Sequence, residues 1–329
     1  MRGVGAVMGK RRVALVAAST GGHLEQACRL RDRFEPAFDE IDFVTFKDKQ
    51  SVSLLSGEQV HYVRHIWPRD WQGIARAARP AVEITGSGRY TDVISTGAAI
   101  AIPFLAAGWL SGCRLHYIES AARAQGPSLS GKVVSKLPGV RLYRQYPDWP
   151  RHEWLFRGSV FDGFVHGVAA PNPPPLRRIV VTLGTMRDYP FRRAIEAVVR
   201  ILPEISDAQT QVLWQVGGTP VDDLGIEAEE FVPAERLKAA ISQADLVIAH
   251  AGIGSCLQIL DSGRAPILLA RSRHHGEHVD DHQRMIAGEL DRRGLAVTRD
   301  PERLSVEDVV EALRLSPRRG VPDPFLLAV

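Results

Sequence analysis

A histidine, two glycines and a serine stand close together in the stretch HAGIGS, residues 250–255. Glycine has no Cβ, so a ligand can approach the backbone closely, and the N–H groups at a helix start attract anions. Hydroxyl and imidazole groups add hydrogen bonds. We interpret the stretch as a diphosphate-binding loop rather than a glycine-rich turn with a capping serine and a core histidine. Its candidate residues are His250, Ala251, Gly252, Gly254 and Ser255.

A second glycine-containing loop, STGGH, follows the first apolar run near the start of the chain. Ser19 or Thr20 is expected to cap the helix that follows, and Gly21 and Gly22 would let a ligand approach. His23 would then face that ligand. A plain strand-to-helix turn explains one such loop equally well, but two of them in one chain favour binding.

A third loop, VTLGT, opens another strand-to-helix turn with Gly184 and Thr185, and Arg187 adds a positive charge. Taken alone, it is as consistent with a turn and a surface arginine as with a binding loop.

The stretch YIESAARAQGPSLSGK places Glu119 at the end of an apolar run. A glutamate there is a candidate general base, or simply a helix cap. Arg123 and Lys132 are candidates for contacts with an anionic acceptor.

The stretch RSRHHGEHVDDHQ is rich in histidines and carboxylates. His278 and His282 are four residues apart and share a face if the segment is helical. Three interpretations remain open: a zinc site, a polar loop before a helix, or hydrogen bonds from Asp281 and Gln283 to sugar hydroxyls. The other members of the cluster are His274, His275, Glu277 and Asp280.

Alternating short strands and helices predict two parallel sheets, each covered on both faces. The predicted strands are Arg12–Ala18, Ile41–Phe46, Val60–Ile66, Asp92–Thr96, Arg114–Glu119, Val140–Tyr146, Arg178–Gly184, Gln211–Gly217, Glu229–Val232, Asp245–His250, Ala265–Ala270 and Gly294–Thr298. Four prolines in AAPNPPP predict a stiff linker. The fold class is therefore α/β, with doubly wound domains at 1–170 and 177–329, a linker at 171–176, and a cleft between the domains.

Bulk properties exclude several classes. The chain has 329 residues, a hydrophobic content of 45% and a formal net charge of +3, which give no indication of nucleic-acid binding. The residues before the first strand lack an apolar core, so we expect neither a signal peptide nor a membrane anchor. Buried thiols of a reducing compartment are predicted at Cys28, Cys113 and Cys256.

Together the motifs resemble inverting GT-B glycosyltransferases of the MurG type, which transfer N-acetylglucosamine from UDP-N-acetylglucosamine to lipid-linked precursors. A closer similarity is to the two-subunit UDP-N-acetylglucosamine transferase of dolichol-linked oligosaccharide synthesis and its bacterial exopolysaccharide relatives. STGGHLEQ, STGAAIAIPF, YIESAAR and SLSGK resemble the acceptor-side subunit. VTLGT, HAGIGS and DDHQ resemble the catalytic subunit. The resemblance covers most of residues 12–300 and places both parts on one chain.

The resemblance implies a role for each matching residue. His250, Ala251, Gly252, Gly254 and Ser255 would bind the UDP phosphates, with Gly184 and Thr185 closing on them. Asp281 and Gln283 would read the donor sugar. Ser19, Thr20, Gly21, Gly22 and Arg123 would face the acceptor, and His23 or Glu119 would be the base. It also implies catalysis without a metal or other cofactor, since helix dipoles and backbone donors would stabilise the leaving diphosphate.

Two departures from the family pattern matter. Gln258 stands where the family usually has the glutamate that holds the ribose hydroxyls, which bears on donor affinity and nucleotide choice. The membrane helix of the eukaryotic acceptor-side subunit has no counterpart. We therefore expect a cytoplasmic enzyme, with peripheral docking at the inner face of the plasma membrane as one option. Lys10, Arg11, Arg12 and the surface near Trp109 are the docking candidates, although solvated charges explain the arginines equally well.

The resulting hypothesis is transfer of a hexose of the N-acetylglucosamine, glucose or glucuronate type from a UDP-sugar, with inversion, to a hydroxyl of a lipid-diphosphate-linked sugar. The alternatives are a transferase for a soluble natural-product aglycone, a UDP-sugar 2-epimerase, and an inactive binding module. A hydrolytic zinc enzyme is a weaker alternative.

Overall fold

Two compact units make up the structure. The computed structural model describes residues 11–34, 37–67, 69–149, 153–167 and 175–328. The first unit comprises the residues up to Ser120, Gln125–Val160 and the tail from Asp323, and the second comprises Ala121–Ala124 and Phe161–Pro322. Most of the predicted linker lies outside the described residues, and the domain boundaries given above stay a prediction.

A seven-stranded sheet forms the centre of the first unit, with every neighbouring pair parallel. The strand order is β3-β2-β1-β4-β5-β6-β7, so the direction of winding reverses between β1 and β4. The strands are β1 (Val13–Ala17), β2 (Glu40–Phe46), β3 (Val60–Val63), β4 (Asp92–Ser95), β5 (Arg114–Ile118), β6 (Val140–Arg144) and β7 (Trp154–Phe156).

The second unit repeats this arrangement. Its six-stranded parallel sheet has the order β11-β10-β9-β12-β13-β14, with the reversal between β9 and β12. A two-stranded antiparallel sheet pairs β8 (Phe164–Val165) with β15 (Arg318–Arg319). The strands of the larger sheet are β9 (Arg178–Thr182), β10 (Gln211–Gln215), β11 (Ala228–Glu229), β12 (Leu246–His250), β13 (Ile267–Leu269) and β14 (Val297–Arg299).

The sequence patterns explain these elements well. Each predicted strand overlaps an observed one, because strands buried on both faces form continuous apolar runs such as VALVA in β1. The helices of the first unit are α1 (Gly22–Phe34), α2 (Lys49–Leu54), α3 (Trp71–Thr85), α4 (Ala101–Leu110) and α5 (Leu129–Val134). Those of the second are α6 (Arg192–Ile205), α7 (Ala234–Gln243), α8 (Ile253–Asp261), α9 (His282–Arg292) and α10 (Val306–Arg314).

Helix α4 is the apolar run expected to be a buried helix, and most of its residues are buried. No helix in the described part of the chain combines the length and the apolar character needed to cross a bilayer. Cys256 is buried as predicted, and Cys28 and Cys113 are half-buried. Burial raises the pKa of the Cys256 thiol to about 12 and of Cys28 to about 11, so both thiols are unreactive at neutral pH.

The tail from Asp323 is part of the core of the first unit. Phe325 is buried, its ring meets the ring of Phe34 edge-on, and its N–H donates to the carbonyl of Arg33. The Arg33 guanidinium donates in turn to the carbonyl of Asp323 at 2.9 Å. Residues distant in sequence thereby complete one core.

Gly108 tests the packing of α4. A Cβ at Gly108 would lie 2.7 Å from Cγ2 of Val93 on β4 and 3.1 Å from Cδ2 of Leu115 on β5. We expect Gly108→Ala to lower the free energy of unfolding by about 1–3 kcal/mol through overpacking. The control is Gly288→Ala in α9, where a Cβ meets open space and should add about 0.5–1 kcal/mol of stability. Urea unfolding curves of both variants measure this, and equal stabilities would contradict the packing described.

Candidate active site

The glycine loops of the second unit lie where its winding reverses. Strands β9 and β12 are parallel neighbours, with Thr182 opposite Ala249. The loop with Gly184 and Thr185 follows β9, and the loop with Ala251, Gly252 and Gly254 follows β12. Both loops therefore leave the same edge of the sheet, at the position where open α/β sheets bind ligands.

His250 is fixed by its own backbone surroundings. Its Nδ1 lies 3.3 Å from the carbonyl oxygen of Thr182. A carbonyl oxygen only accepts hydrogen bonds, so Nδ1 carries the proton and Nε2 carries the lone pair in the neutral ring. Burial, followed by the positive charge of Arg271, lowers the pKa of His250 to about 4. The ring is therefore neutral at neutral pH.

Two of the glycines are explained by this imidazole. A Cβ at Gly252 would lie 2.4 Å from Nε2 of His250, and one at Gly184 would lie 3.1 Å from the same atom. Gly184 also has φ +87°, a conformation that favours glycine. The sequence suggested that these glycines keep space for phosphates, but their immediate neighbour is the histidine. Gly254 differs, because a Cβ there meets open space.

The remaining residues of the loop are arranged as follows. Helix α8 begins at Ile253, so Ser255 is its third residue and Gly252 is at the N-cap position without a side-chain cap. Ala251 is buried, whereas Ser255 and Gln258 are half-buried. Thr185 is exposed.

Arg271 holds the loop that follows β9 in place. The sequence patterns did not predict this role. This fully buried residue follows β13. Its guanidinium donates to the carbonyl of Leu183 at 2.7 Å and to the carbonyls of Tyr189 and Glu277. Leu183 and Tyr189 flank the loop that contains Gly184 and Thr185. One side chain thus fixes both ends of that loop.

The residues expected to read the donor sugar support the same region. The side-chain oxygen of Gln283 accepts the N–H of Arg271 at 3.2 Å. Asp281 precedes α9, and its carboxylate accepts the N–H of Arg273 at 2.9 Å. A role for Asp281 and Gln283 in sugar recognition stays a prediction.

Only part of the histidine-rich stretch converges. His278, Asp280 and His282 have ligand-type atoms within 4.8 Å of one another, a geometry that could hold a metal. The Asp280 carboxylate already pairs with His282 and with Arg123, which lies 3.0 Å from it and belongs to the second unit. His274 and His275 form a short 3₁₀ turn with Arg273 and are not part of this cluster. The Asp280 carboxylate thus already has an arginine and an imidazole as partners.

The candidate residues of the first unit also lie where its sheet reverses. His23 follows β1, and its Nδ1 is 2.8 Å from the carbonyl of Thr96, after β4. That bond again places the proton on Nδ1 and makes Nε2 the basic nitrogen. Gly97 has φ +112°, and a Cβ on it would lie 3.0 Å from Cε1 of His23. A glycine thus makes room for the imidazole here as well.

The expected cap of α1 is wrong in detail. The helix begins at Gly22, so Gly21 is at the N-cap position and Ser19 and Thr20 precede it. Gly21 has φ +83°, and its N–H donates to the side-chain oxygen of Gln50 at 2.6 Å. The left-handed conformation explains the glycine, since a side chain would be strained there.

Glu119 is buried and fully engaged by its own loop. Its carboxylate accepts the N–H of Ser120 at 3.0 Å, and both the N–H and the hydroxyl of Ser128 at 2.8 and 3.0 Å. Ser128 in turn caps α5. These contacts indicate that Glu119 organises the segment 119–131.

Two of the basic docking candidates, Arg11 and Arg12, are engaged in ion pairs. Lys10 lies outside the described residues. The Arg11 guanidinium pairs with Glu40, and that of Arg12 lies 3.4 Å from the Asp92 carboxylate. The Trp109 side chain, at the end of α4, is 47% exposed.

Comparisons with known proteins agree with this architecture. Residues 178–319 match the glycosyltransferase family 28 C-terminal domain. A UDP-N-acetylglucosamine–N-acetylmuramyl-(pentapeptide) pyrophosphoryl-undecaprenol N-acetylglucosamine transferase of Salinibacter ruber is 26% identical, over 88% of this chain and 83% of its own. The chain resembles MurG-type glycosyltransferases over most of its length. The expected resemblance is thereby confirmed.

Solved structures show that this transferase has the GT-B fold. The crystal structure of Acinetobacter baumannii MurG has a TM-score of 0.57 at 17% identity, covering 92% of this chain and 89% of its own. A UDP-N-acetylglucosamine 2-epimerase has a TM-score of 0.59 at 12% identity, covering 97% and 92%. At such identities only the fold is shared, so these likenesses do not decide between transfer and epimerisation.

A double-mutant cycle tests the contact between His250 and Gly252. Gly252→Ala should destabilise the transferase, because the new Cβ falls on Nε2 of the imidazole. The same change in a His250→Ala background should cost at least about 1 kcal/mol less, since contacting residues couple. Urea unfolding of the four proteins measures the coupling. Additive effects would show that the glycine is required for another reason.

Proposed function

We propose that this transferase moves a hexose from a UDP-sugar, with inversion, to a hydroxyl of a lipid-diphosphate-linked sugar acceptor. The observation that carries the proposal is Gly254 in the first turn of α8, at the reversal point of a family 28 domain. Its Cβ position is open, so no contact within the described chain explains the glycine. A bound diphosphate does, because backbone N–H groups at a helix start bind phosphate.

The acceptor assignment rests on the relatives. The Salinibacter transferase is named for an undecaprenol pyrophosphate acceptor and an N-acetylglucosamine donor, and its similarity extends over most of both chains. This similarity favours a lipid-linked acceptor over a soluble aglycone, and transfer over epimerisation or an inactive module. N-acetylglucosamine is the donor sugar to test first.

We assign the base to His23. The hydrogen bond from its Nδ1 to Thr96 orients the ring and leaves Nε2 as the proton-accepting atom. The carboxylate of Glu119 is already held by Ser120 and Ser128, so this residue acts as a positioning residue. The first unit supplies the base and the second holds the donor.

The proposed chemistry needs no metal at the diphosphate. Backbone N–H groups and the dipole of α8 supply part of the stabilisation that a cation provides in other enzymes. A cytoplasmic location with peripheral access to a lipid substrate follows from the proposed acceptor, and nucleic acid has no role in it.

Gly254→Ala tests the donor site. The added methyl meets open space in the free protein, so stability should be unchanged or slightly higher. UDP binding should weaken by tenfold or more, because the methyl obstructs the approach to the helix start. Isothermal titration calorimetry of UDP in EDTA measures this, with Gly288→Ala as the control that retains full affinity. Unchanged affinity in Gly254→Ala would remove the support for a diphosphate at this loop, and loss of wild-type binding in EDTA would contradict metal independence.

A pair of substitutions tests the base. His23→Gln should reduce turnover by about 10²–10⁴-fold with unchanged affinity for the donor, because only proton transfer is lost. Suitable substrates are UDP-N-acetylglucosamine and the undecaprenol-linked acceptor named for the Salinibacter relative. Glu119→Gln should retain more than ten times the turnover of His23→Gln. A lower turnover in Glu119→Gln than in His23→Gln would instead make Glu119 the base.

A further inference from the structure

A diphosphate leaving group needs positive charge. The arginines around the proposed donor loops already bind carbonyl or carboxylate groups of the protein. Two nitrogens of the Arg271 guanidinium donate to backbone carbonyls, and its plane lies over the Phe191 ring at 4.9 Å. Arg187 is exposed and pairs with Glu230 at 2.5 Å. Arg193 pairs with Glu277 and Asp300. The group next to both glycine loops is the imidazole of His250.

The protonation state of His250 does not suit a diphosphate in the free protein. Nε2 lies beside Gly184 and Gly252, and in the neutral ring it carries the lone pair, since Nδ1 donates to Thr182. A phosphate oxygen has only lone pairs to offer. Contact between Nε2 and a phosphate oxygen would therefore be repulsive unless a proton is added.

We propose that His250 takes up one proton from solvent when the donor diphosphate binds, so that the imidazolium hydrogen-bonds the diphosphate through Nε2–H and balances its charge. This inference rests on the proposed function. Nδ1–H keeps its bond to Thr182, so the ring need not turn. The imidazolium then supplies the cation that a metal ion provides in other enzymes that release a nucleoside diphosphate.

The charges around His250 explain why it takes up the proton only when the donor binds. Arg271, His278 and His282 face it with positive or potentially positive groups, and burial adds to their effect in keeping the free imidazole neutral. The Asp280 carboxylate is already paired with His282 and Arg123, so it does little to offset the positive charges that face His250. A bound diphosphate brings two negative charges to the site and reverses this balance.

The proton also matters during transfer. When the bond between the anomeric carbon and the β-phosphate oxygen breaks, its electron pair stays on that oxygen, and UDP gains one negative charge. The imidazolium is already in place to stabilise that charge, while the proton of the acceptor hydroxyl goes to the base in the first unit. His250 returns to the neutral form when UDP departs and its proton is released.

Calorimetry in buffers of different ionisation enthalpy counts this proton. The probe is UDP-N-acetylglucosamine without acceptor, because its diphosphate has no ionisation near neutral pH. The observed binding enthalpy of the full-length protein at pH 7.5 should differ between HEPES and Tris, neither of which contains phosphate, by the amount that corresponds to one proton taken up. As the pH rises from the pKa of free His250 towards its higher pKa in the complex, binding should weaken by up to tenfold per pH unit, and above the pKa in the complex it should level off.

Two variants test whether His250 is the residue that takes up the proton. His250→Gln keeps an N–H donor that does not titrate, so binding should be weaker, independent of pH and free of proton uptake. His278→Asn is the matched control: this histidine also has a lowered pKa and lies in the same unit, yet uptake of one proton should persist. Loss of uptake in His278→Asn with retention in His250→Gln would overturn the assignment.

The failure of this inference can be told apart from failure of the proposed function. Wild-type binding of the UDP-sugar with no proton uptake would overturn the role of His250 and leave the donor site intact. The absence of any wild-type binding would overturn both.

Discussion

The hydrogen bond from Nδ1 of His250 to the carbonyl of Thr182 sets the geometry of the two glycine loops of the second unit. It joins the ends of the two central strands of the second sheet and directs Nε2 between the loops that follow them. This ring occupies the space that a side chain at Gly252 would need, and it crowds Gly184, whose left-handed backbone also favours glycine. The electrostatics of the site follow from the same bond, since it decides which nitrogen carries the proton.

The first unit also holds a histidine ring beside a glycine, with different residues. His23 is the second residue of α1, which follows β1, and it bonds to the carbonyl of Thr96 just after β4, with Gly97 beside its ring. In each unit, a histidine at or after the end of one central strand is held by a backbone carbonyl at or after the end of the neighbouring strand and packs against a glycine. The difference lies in the surroundings. His250 faces Arg271 and two further histidines, whereas His23 is linked to Thr96 by a second bond, from the threonine hydroxyl to the His23 carbonyl.

Local signals made much of this predictable from sequence. Continuous apolar runs located the long strands, and glycines after them located the loops. Strands β7, β8 and β15 were not predicted, because they have only two or three residues and, unlike β13, lie in no longer apolar run. Arg271 was missed because an arginine after a strand looks like a surface charge, while its acceptors Leu183 and Tyr189 are more than 80 residues away. The tight contact of His250 with Gly252 and the engagement of Glu119 by Ser128 depend on the folded backbone, which spacing does not reveal.

The return of the tail to the first unit has a consequence for engineering hybrid enzymes. Phe325 completes a core made by Phe34 and Tyr143, although the residues before the tail, Phe161–Pro322, belong to the second unit. A chimera with a single crossover near the prolines would combine the first unit of one protein with the second unit and the tail of another, so Phe325 would come from the wrong protein. A hybrid that exchanges the second unit needs another junction near Pro322, so that each core keeps its own aromatic residues.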